Sequence, residues 1–269
     1  MASAPAVSEL LADLAAEQHE LYSLVASLDD EGWNRSTPAE GWAIRDQISH
    51  LAFFDEAAIS AITDPDGFAD MAGRAVEVAA AGGDPMAEHL DRGRSMAGAE
   101  VLAWWRRART NLLDVAAGLS PTQRVPWFGP AMSPLSFLSA RLMETWAHGQ
   151  DVADSLGVTR HPTRRLVHIA QLGVRARPFS FAVRGLEPPT GTVTVDLAGP
   201  DGERWIWDED QAGRSSVRGS ALDFCLVVTQ RRHVSDTGLV VEGEPARRWM
   251  AVAQAFAGTP GPGRAPSSA

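Results

Sequence analysis

Between Ser8 and Gly157 apolar residues return every three or four positions, broken only by short runs of Gly, Pro and Asn. That period commits this part of the chain to packed amphipathic helices. Leu10, Leu11, Leu14, Leu21, Leu24, Val25 and Leu28 form one such stripe and predict a helix over Ser8–Leu28. The breakers in "DDEGWNRSTPAEGW" stop it, and Ile44, Ile48, Leu51, Ala58, Ile59 and Ile62 restart the spacing. A connection marked by Pro and Gly is expected from Asp64 to Asp84. A third helical region follows between Pro85 and Leu119, with a break near Gly93–Gly98 and an apolar face of Leu102, Trp105, Leu112 and Val115. The stretch "SPTQRVPWFGPAMSP" then reaches Ser133, whose hydroxyl can cap a helix that Pro134 opens and Gly157 closes after Leu156. Four amphipathic helices with polar connections define an up-and-down bundle, a fold whose interior can carry a metal.

Beyond Gly157 the texture changes. One helix is expected near Pro162–Val174, after which "GTVTVDL", "GERWIWD" and "SSVRG" read as short strands separated by turn residues. Helical spacing returns at Ala221–Thr229 and Pro245–Phe256, with "GLVVEG" between them as a strand. The expected fold class is α+β, with an N-terminal four-helix bundle over residues 1–157 and a smaller C-terminal α/β domain over 158–258. Residues 259–269 hold too much Pro, Gly and Ser to pack and are expected to form a loose tail.

Composition removes several kinds of chemistry. The chain has 269 residues and a net charge of -10, which opposes binding to a phosphate backbone, so nucleic acid is not an expected partner. It contains no Lys, so all 24 basic residues are Arg. A Schiff-base nucleophile, an anchored pyridoxal phosphate and a P-loop lysine are thereby excluded. Cys225 stands alone, which rules out an internal disulfide and a multi-cysteine zinc site. No apolar run approaches the roughly 18–20 residues that span a bilayer. The first residues lack the basic start and unbroken apolar centre of a leader, so the expected location is the cytoplasm, with no membrane partner.

Within "ETWAHGQD", Glu144 and His148 stand four positions apart on the last bundle helix. Four residues of α-helix advance about 400° and about 6 Å, so both side chains share one face. A Glu oxygen and a neutral His nitrogen are ordinary donors to zinc and similar divalent ions. Asp151, three positions on, is expected to hydrogen-bond the other imidazole nitrogen as outer support. The same Glu/His spacing is common on solvated helix faces. His50, the third candidate donor, sits so close to the apolar stripe of its helix that a histidine satisfied within the core also accounts for it. Spacing leaves both readings open.

"GWAIRDQISHLAFFDEAA" and "RLMETWAHGQDVADSLG" together resemble the paired signatures of the DinB-like superfamily, in the branch that holds mycothiol-dependent maleylpyruvate isomerases and related actinobacterial metal-binding proteins. The resemblance extends across the bundle, and "VRGSALDFCLVVTQRR" is similar in outline to that branch's smaller C-terminal domain. It implies that His50, Glu144 and His148 bind a divalent metal with one position open. Zn is the first choice, with Ni, Fe and Mn compatible with the donors. It further implies a metal-dependent isomerase or S-transferase that uses mycothiol, a low-molecular-weight thiol, on a small-molecule substrate. Two other readings stay in view: a thiol-independent hydrolase, lyase or rearrangement enzyme of specialised metabolism, and a non-catalytic module that binds a metal or small ligand.

The remaining candidates carry less. His19, beside Gln18 and Glu20, is expected to face water, and His89, His161, His168 and His233 lack companion ligands at a persuasive spacing. Cys225 lies among Phe224, Leu226 and Val227 and reads as a small buried hydrophobe, so no nucleophile is assigned. Trp127, Phe128 and Met132 lead into the ligand helix, where they either wall a substrate pocket or seal the bundle end. Arg231, next to Arg232, is either a cation offered to an anionic substrate or half of a solvated pair.

Overall fold

The computed structural model describes residues 7–208, 214–258 and 260–267, and the chain divides into two compact units, Met1–Arg160 and His161–Ala269. In the first, α1 (Val7–Val25), α3 (Ile44–Thr63), α6 (Gly98–Ala116) and α7 (Pro134–Leu156) are the long helices, with the short α2 (Asp30–Trp33), α4 (Pro65–Ala80) and α5 (Ala87–Arg94) between them. α3 packs against α6 and α7, and α1 against α7 and α6, which closes the bundle. Leu10, Leu14, Leu21, Ile48, Leu51, Trp104, Trp105, Leu112 and Leu142 are buried at the centre. Each such side chain contributes about 1.5–3 kcal/mol by leaving water. Ser133 caps α7 by accepting from the Ser136 amide at 3.3 Å. Gly157 ends the helix at φ 69°, a left-handed conformation that glycine adopts without a Cβ clash.

Three expectations change here. The segment from Asp64 to Asp84 is not a plain connection but carries α4, which Asp64 caps through the Gly67 amide at 3.2 Å and Pro65 opens. Its one buried residue is Phe68, and Pro65, Gly67 and Gly73 read as loop punctuation despite the helical spacing of Phe68, Met71, Ala75 and Ala79. The first helix stops at Val25 rather than Leu28, because the chain turns there into α2. Trp104, absent from the face expected for α6, is buried alongside Trp105.

The second unit runs α8 (Leu166–Arg175), α9 (Arg177–Ala182), β1 (Thr194–Ala198), β2 (Arg204–Trp207), β3 (Ser216–Ser220), α10 (Ala221–Val228), β4 (Val240–Glu242) and α11 (Glu244–Met250). The sheet order is β2-β1-β3-β4, with β1 and β3 parallel and the outer strands antiparallel to their neighbours. Val195, Leu197 and Val217 point inward, and Phe224 and Trp249 meet beneath the sheet with ring centroids 5.9 Å apart. α11 ends at Met250, before the expected Phe256. Among residues 260–267 there is no helix or strand, yet the segment does not hang loose. Arg184 donates to the Gly261 carbonyl at 3.2 Å, and the Ser267 amide donates to Asp236 at 2.9 Å. Side chains elsewhere in the unit supply what the tail's own composition lacks. Among the described residues no helix is long and apolar enough to cross a membrane.

Candidate metal centre

His50 lies on α3, and Glu144 and His148 lie one turn apart on α7. Each offers one donor atom, and these atoms all lie within 4.8 Å of one another. His148 Nε2 is 3.3 Å from Glu144 Oε2, and the rings of His50 and His148 have centroids 4.5 Å apart. Three donors at about 2.1 Å from a tetrahedral ion stand about 3.4 Å from each other. One edge of the triad already has that length, and two imidazoles with a carboxylate suit a borderline divalent cation.

A chain of hydrogen bonds sets the tautomer of His148. The Thr37 hydroxyl donates to the Trp42 carbonyl at 2.9 Å, so its oxygen accepts from Gln47 Nε2, also at 2.9 Å. The Gln47 amide is thereby oriented with Oε1 against His148 Nδ1 at 2.5 Å. An amide oxygen only accepts, so the imidazole proton sits on Nδ1 and the lone pair on Nε2. Gln47 thus engages an imidazole nitrogen for which the sequence suggested Asp151. Asp151 itself is buried at 1% exposure.

His50 has a partner that sequence spacing did not reveal. Its Nδ1 is 3.3 Å from Nε2 of His89 on α5, whose ring is 2% exposed and stacks on Phe53 at 4.5 Å. Burial pushes the His89 pKa down to about 4, so the ring is neutral at neutral pH and able to accept from His50. Nδ1 of each of these two imidazoles thus faces a partner outside the triad. Trp42 covers both rings, stacked on His148 at 5.9 Å and tilted against His50 at 5.2 Å. Phe54 closes the other side of His50 at 4.5 Å.

The structure sorts the remaining candidates. Trp127 is built into an aromatic cluster, stacked on Phe68 at 5.6 Å and edge-on to Phe137 at 5.2 Å. Phe128 is 37% exposed and meets Phe54 at 5.6 Å, one ring removed from His50. Met132 ties the neck of this loop through paired backbone bonds with Val125 at 2.8 and 2.9 Å. Arg231 lies in the second unit, where its guanidinium donates to the Thr229 carbonyl at 2.7 Å. His19 is exposed. Cys225 is fully buried, its thiol pushed up by burial and its Sγ 3.5 Å from the Leu166 carbonyl. Of the residues missed in the sequence, Gln47 alone left a signal there, three positions before His50 and so on the same helix face. His89 and Trp42 reach the site through the fold.

Residues 14–153 match the family model of the mycothiol maleylpyruvate isomerase N-terminal domain. The chain belongs to this family. Two uncharacterized proteins of Mycobacterium tuberculosis, from different strains, are each 46% identical over 254 residues, covering 94% of this chain and 97% of their own. The crystal structure of a mycothiol-dependent maleylpyruvate isomerase is similar at a TM-score of 0.58 and 14% identity, over 88% of this chain and 93% of that one. A point mutant of that enzyme is similar at a TM-score of 0.59 and 15% identity. At such identity the likeness establishes the shared α+β fold, and the family is the one that the two helical motifs resemble.

Proposed function

We propose that this member of the family is a metal-dependent enzyme of the mycothiol-linked isomerase or S-transferase type, with His50, Glu144 and His148 holding one divalent cation, zinc before Ni, Fe or Mn. The observation that carries the reading is the convergence of three donor atoms within 4.8 Å, from two helices far apart in the chain. A cation bound there supplies Lewis acidity that lowers the pKa of a thiol at an open coordination position.

The protein's own residues perform the remaining tasks. Gln47 keeps His148 in the tautomer that presents Nε2, and His89 steadies the ring of His50. Trp42 and Phe54 shield the ring faces from water, which strengthens electrostatic interactions within the site. Phe128 is the loop side chain placed to meet an incoming small-molecule substrate. The nucleophilic sulfur comes from a separate thiol, because Cys225 is buried and held in its protonated form. As an isomerase, the thiolate adds to a conjugated carbon–carbon double bond, the resulting single bond rotates, and elimination returns the thiol with the other geometry. No atom is gained or lost. As a transferase, the reaction stops at the sulfur adduct.

Metal analysis is the first test. The protein as isolated should carry one ion per chain, and His50→Ala and His148→Ala should each reduce it to a trace. Undiminished metal in both variants removes the ligand set. Mycothiol titrated into the cobalt-substituted protein should raise a thiolate-to-metal absorption band, and turnover of unsaturated electrophiles should require the thiol. Turnover without any thiol would select the hydrolase or lyase reading instead.

A further inference from the structure

The loop that carries Trp42 also walls a cleft of about 550 Å³, lined by Arg45, Arg94, Asp46 and Thr37 among others. We infer that this cleft recognises a small organic anion, a carboxylate or a phosphate ester, held beside the metal centre without coordination to the ion. Its position relies on the metal centre proposed above; its hold on an anion does not. Two guanidiniums and one carboxylate line the cleft, an excess of positive charge inside a chain of net charge -10. The carboxylate, Asp46, is already committed: Oδ2 accepts from the Ala43 amide at 2.8 Å and Oδ1 from Arg94 Nε at 2.9 Å.

Arg45 is the excess. It is half-buried, and its Nη1 donates to two backbone carbonyls, of Arg94 at 3.1 Å and Met96 at 3.3 Å. Its Nε is shielded from solvent and meets no acceptor, and no carboxylate among the described residues pairs with the side chain. A guanidinium held in this way keeps both its charge and its direction, and water screens it less than it would an exposed one. An anion brought into the cleft supplies the missing counter-charge. The charge-assisted hydrogen bonds it makes are roughly twice as strong as neutral ones.

The walls are set before a ligand arrives. Gly41 turns the chain at φ 74°, and its carbonyl accepts from Arg94 Nη2 at 3.2 Å. Ser36 and Ala43 pair across the loop, the Thr37 amide donates to the Trp42 carbonyl at 2.8 Å, and the Ser155 hydroxyl on α7 donates to the Ser36 carbonyl at 2.7 Å. A site ordered in advance loses less entropy on binding. The volume lies within the roughly 300–1,000 Å³ of small-molecule sites, so it admits an organic body as well as its charged group. Trp42 offers that body an aromatic surface, and the exposed Asn34 and Ser36 add polar groups at the rim. The same indole covers His50 and His148, so the cleft and the metal centre share one wall.

The test is calorimetric titration of the full chain, metal-free and metal-loaded, with benzoate and with phenyl phosphate, at ionic strength held constant with sodium chloride. Saturable one-site binding is expected for at least one of them in both forms, with inorganic phosphate, which lacks the organic body, binding more weakly. Arg45→Gln and Ser36→Asp, the second placing a like charge at the rim, should each weaken it by about tenfold or more, while Arg74→Gln on α4 changes nothing. Binding of benzoate alone assigns a carboxylate, binding of phenyl phosphate alone a phosphate ester, and binding of both a general oxyanion head. Far-UV circular dichroism confirms that the variants are folded, and if Arg45→Gln is not, Ser36→Asp decides. Binding that requires the metal and is untouched by Arg45→Gln places the anion on the ion and overturns the inference while the metal site stands. No saturation by either compound, equal binding in wild type and the folded variants, or inorganic phosphate binding as tightly as both overturns it too.

Discussion

In Met1–Arg160 the buried polar side chains include Glu17, Asp46, Gln47, Asp55, His89, Arg141, His148 and Asp151, whereas in His161–Ala269 they are Ser180, Ser215, Ser216, Thr229 and Gln254. Among the described residues, then, the bundle takes ionisable groups into its interior, and the second unit takes hydroxyls and one amide. Burying a charge costs several kcal/mol unless a partner is buried with it. The bundle supplies such partners: Arg141 lies 2.8 Å from Asp55, and Arg160 pairs with Glu17 and Glu20. The difference teaches where polar interiors are tolerated. A unit that points imidazoles and a carboxylate at one spot carries paired charges through its core, while the second unit's described interior is apolar apart from hydroxyls and one amide.

The largest test of that contrast is Arg141→Met. It leaves the Asp55 carboxyl, 1% exposed on its side chain and already pushed up by burial, without its guanidinium. A loss of about 3–5 kcal/mol is expected in urea unfolding followed by circular dichroism. The double variant Asp55→Leu/Arg141→Met should recover much of it, since no lone charge remains. A single variant as stable as wild type would break the account of the bundle.

Gln47→Leu removes the acceptor at His148 Nδ1 and should weaken metal binding by about 10–100-fold, read by competition with a chelator. Asp151→Asn leaves that hydrogen bond in place and should cost less. An equal loss in the two variants would return Asp151 to the outer support of the site.

For the second unit the corresponding probe is volume. A Cβ added at Gly173 on α8 would come within 2.8 Å of Val228 on α10. Gly173→Ala should therefore cost about 1–3 kcal/mol through overpacking, measured by thermal unfolding.

The smallest effect concerns a surface charge. Arg204, 67% exposed, bonds to Asp196 across β1 and β2 and holds that carboxyl below its usual 3.8. Because the folded pKa is lowered, the contribution is present above the unfolded value and lost as pH falls through the folded one. Solvent screening limits it to less than about 1 kcal/mol. Asp196→Asn should thus be slightly less stable than wild type at neutral pH, and the two should converge in acid.

These contrasts also explain what could be read in advance. α7 was legible because Ser133, Pro134 and Gly157 punctuate a strong apolar period, and the strands were legible because inward Val195 and Leu197 alternate with polar neighbours. α4 was not, since Pro65, Gly67 and Gly73 read as loop punctuation across its helical spacing. At the site, the Glu144 and His148 pair follows from helix geometry alone. Their partners do not: Gln47 reaches His148 from another helix, His89 meets His50 from α5, and Trp42 arrives from a loop. Such contacts are made by tertiary packing, which has no fixed spacing in the chain.

The burial of Cys225 has a practical consequence. Disulfide-based colour reagents and maleimides will find no accessible native target among the described residues, so the unmodified protein can be mixed with a small thiol and every absorbance change assigned to the added sulfur. Consumption, protection and release of that sulfur during turnover can be followed directly, without first engineering out a background signal.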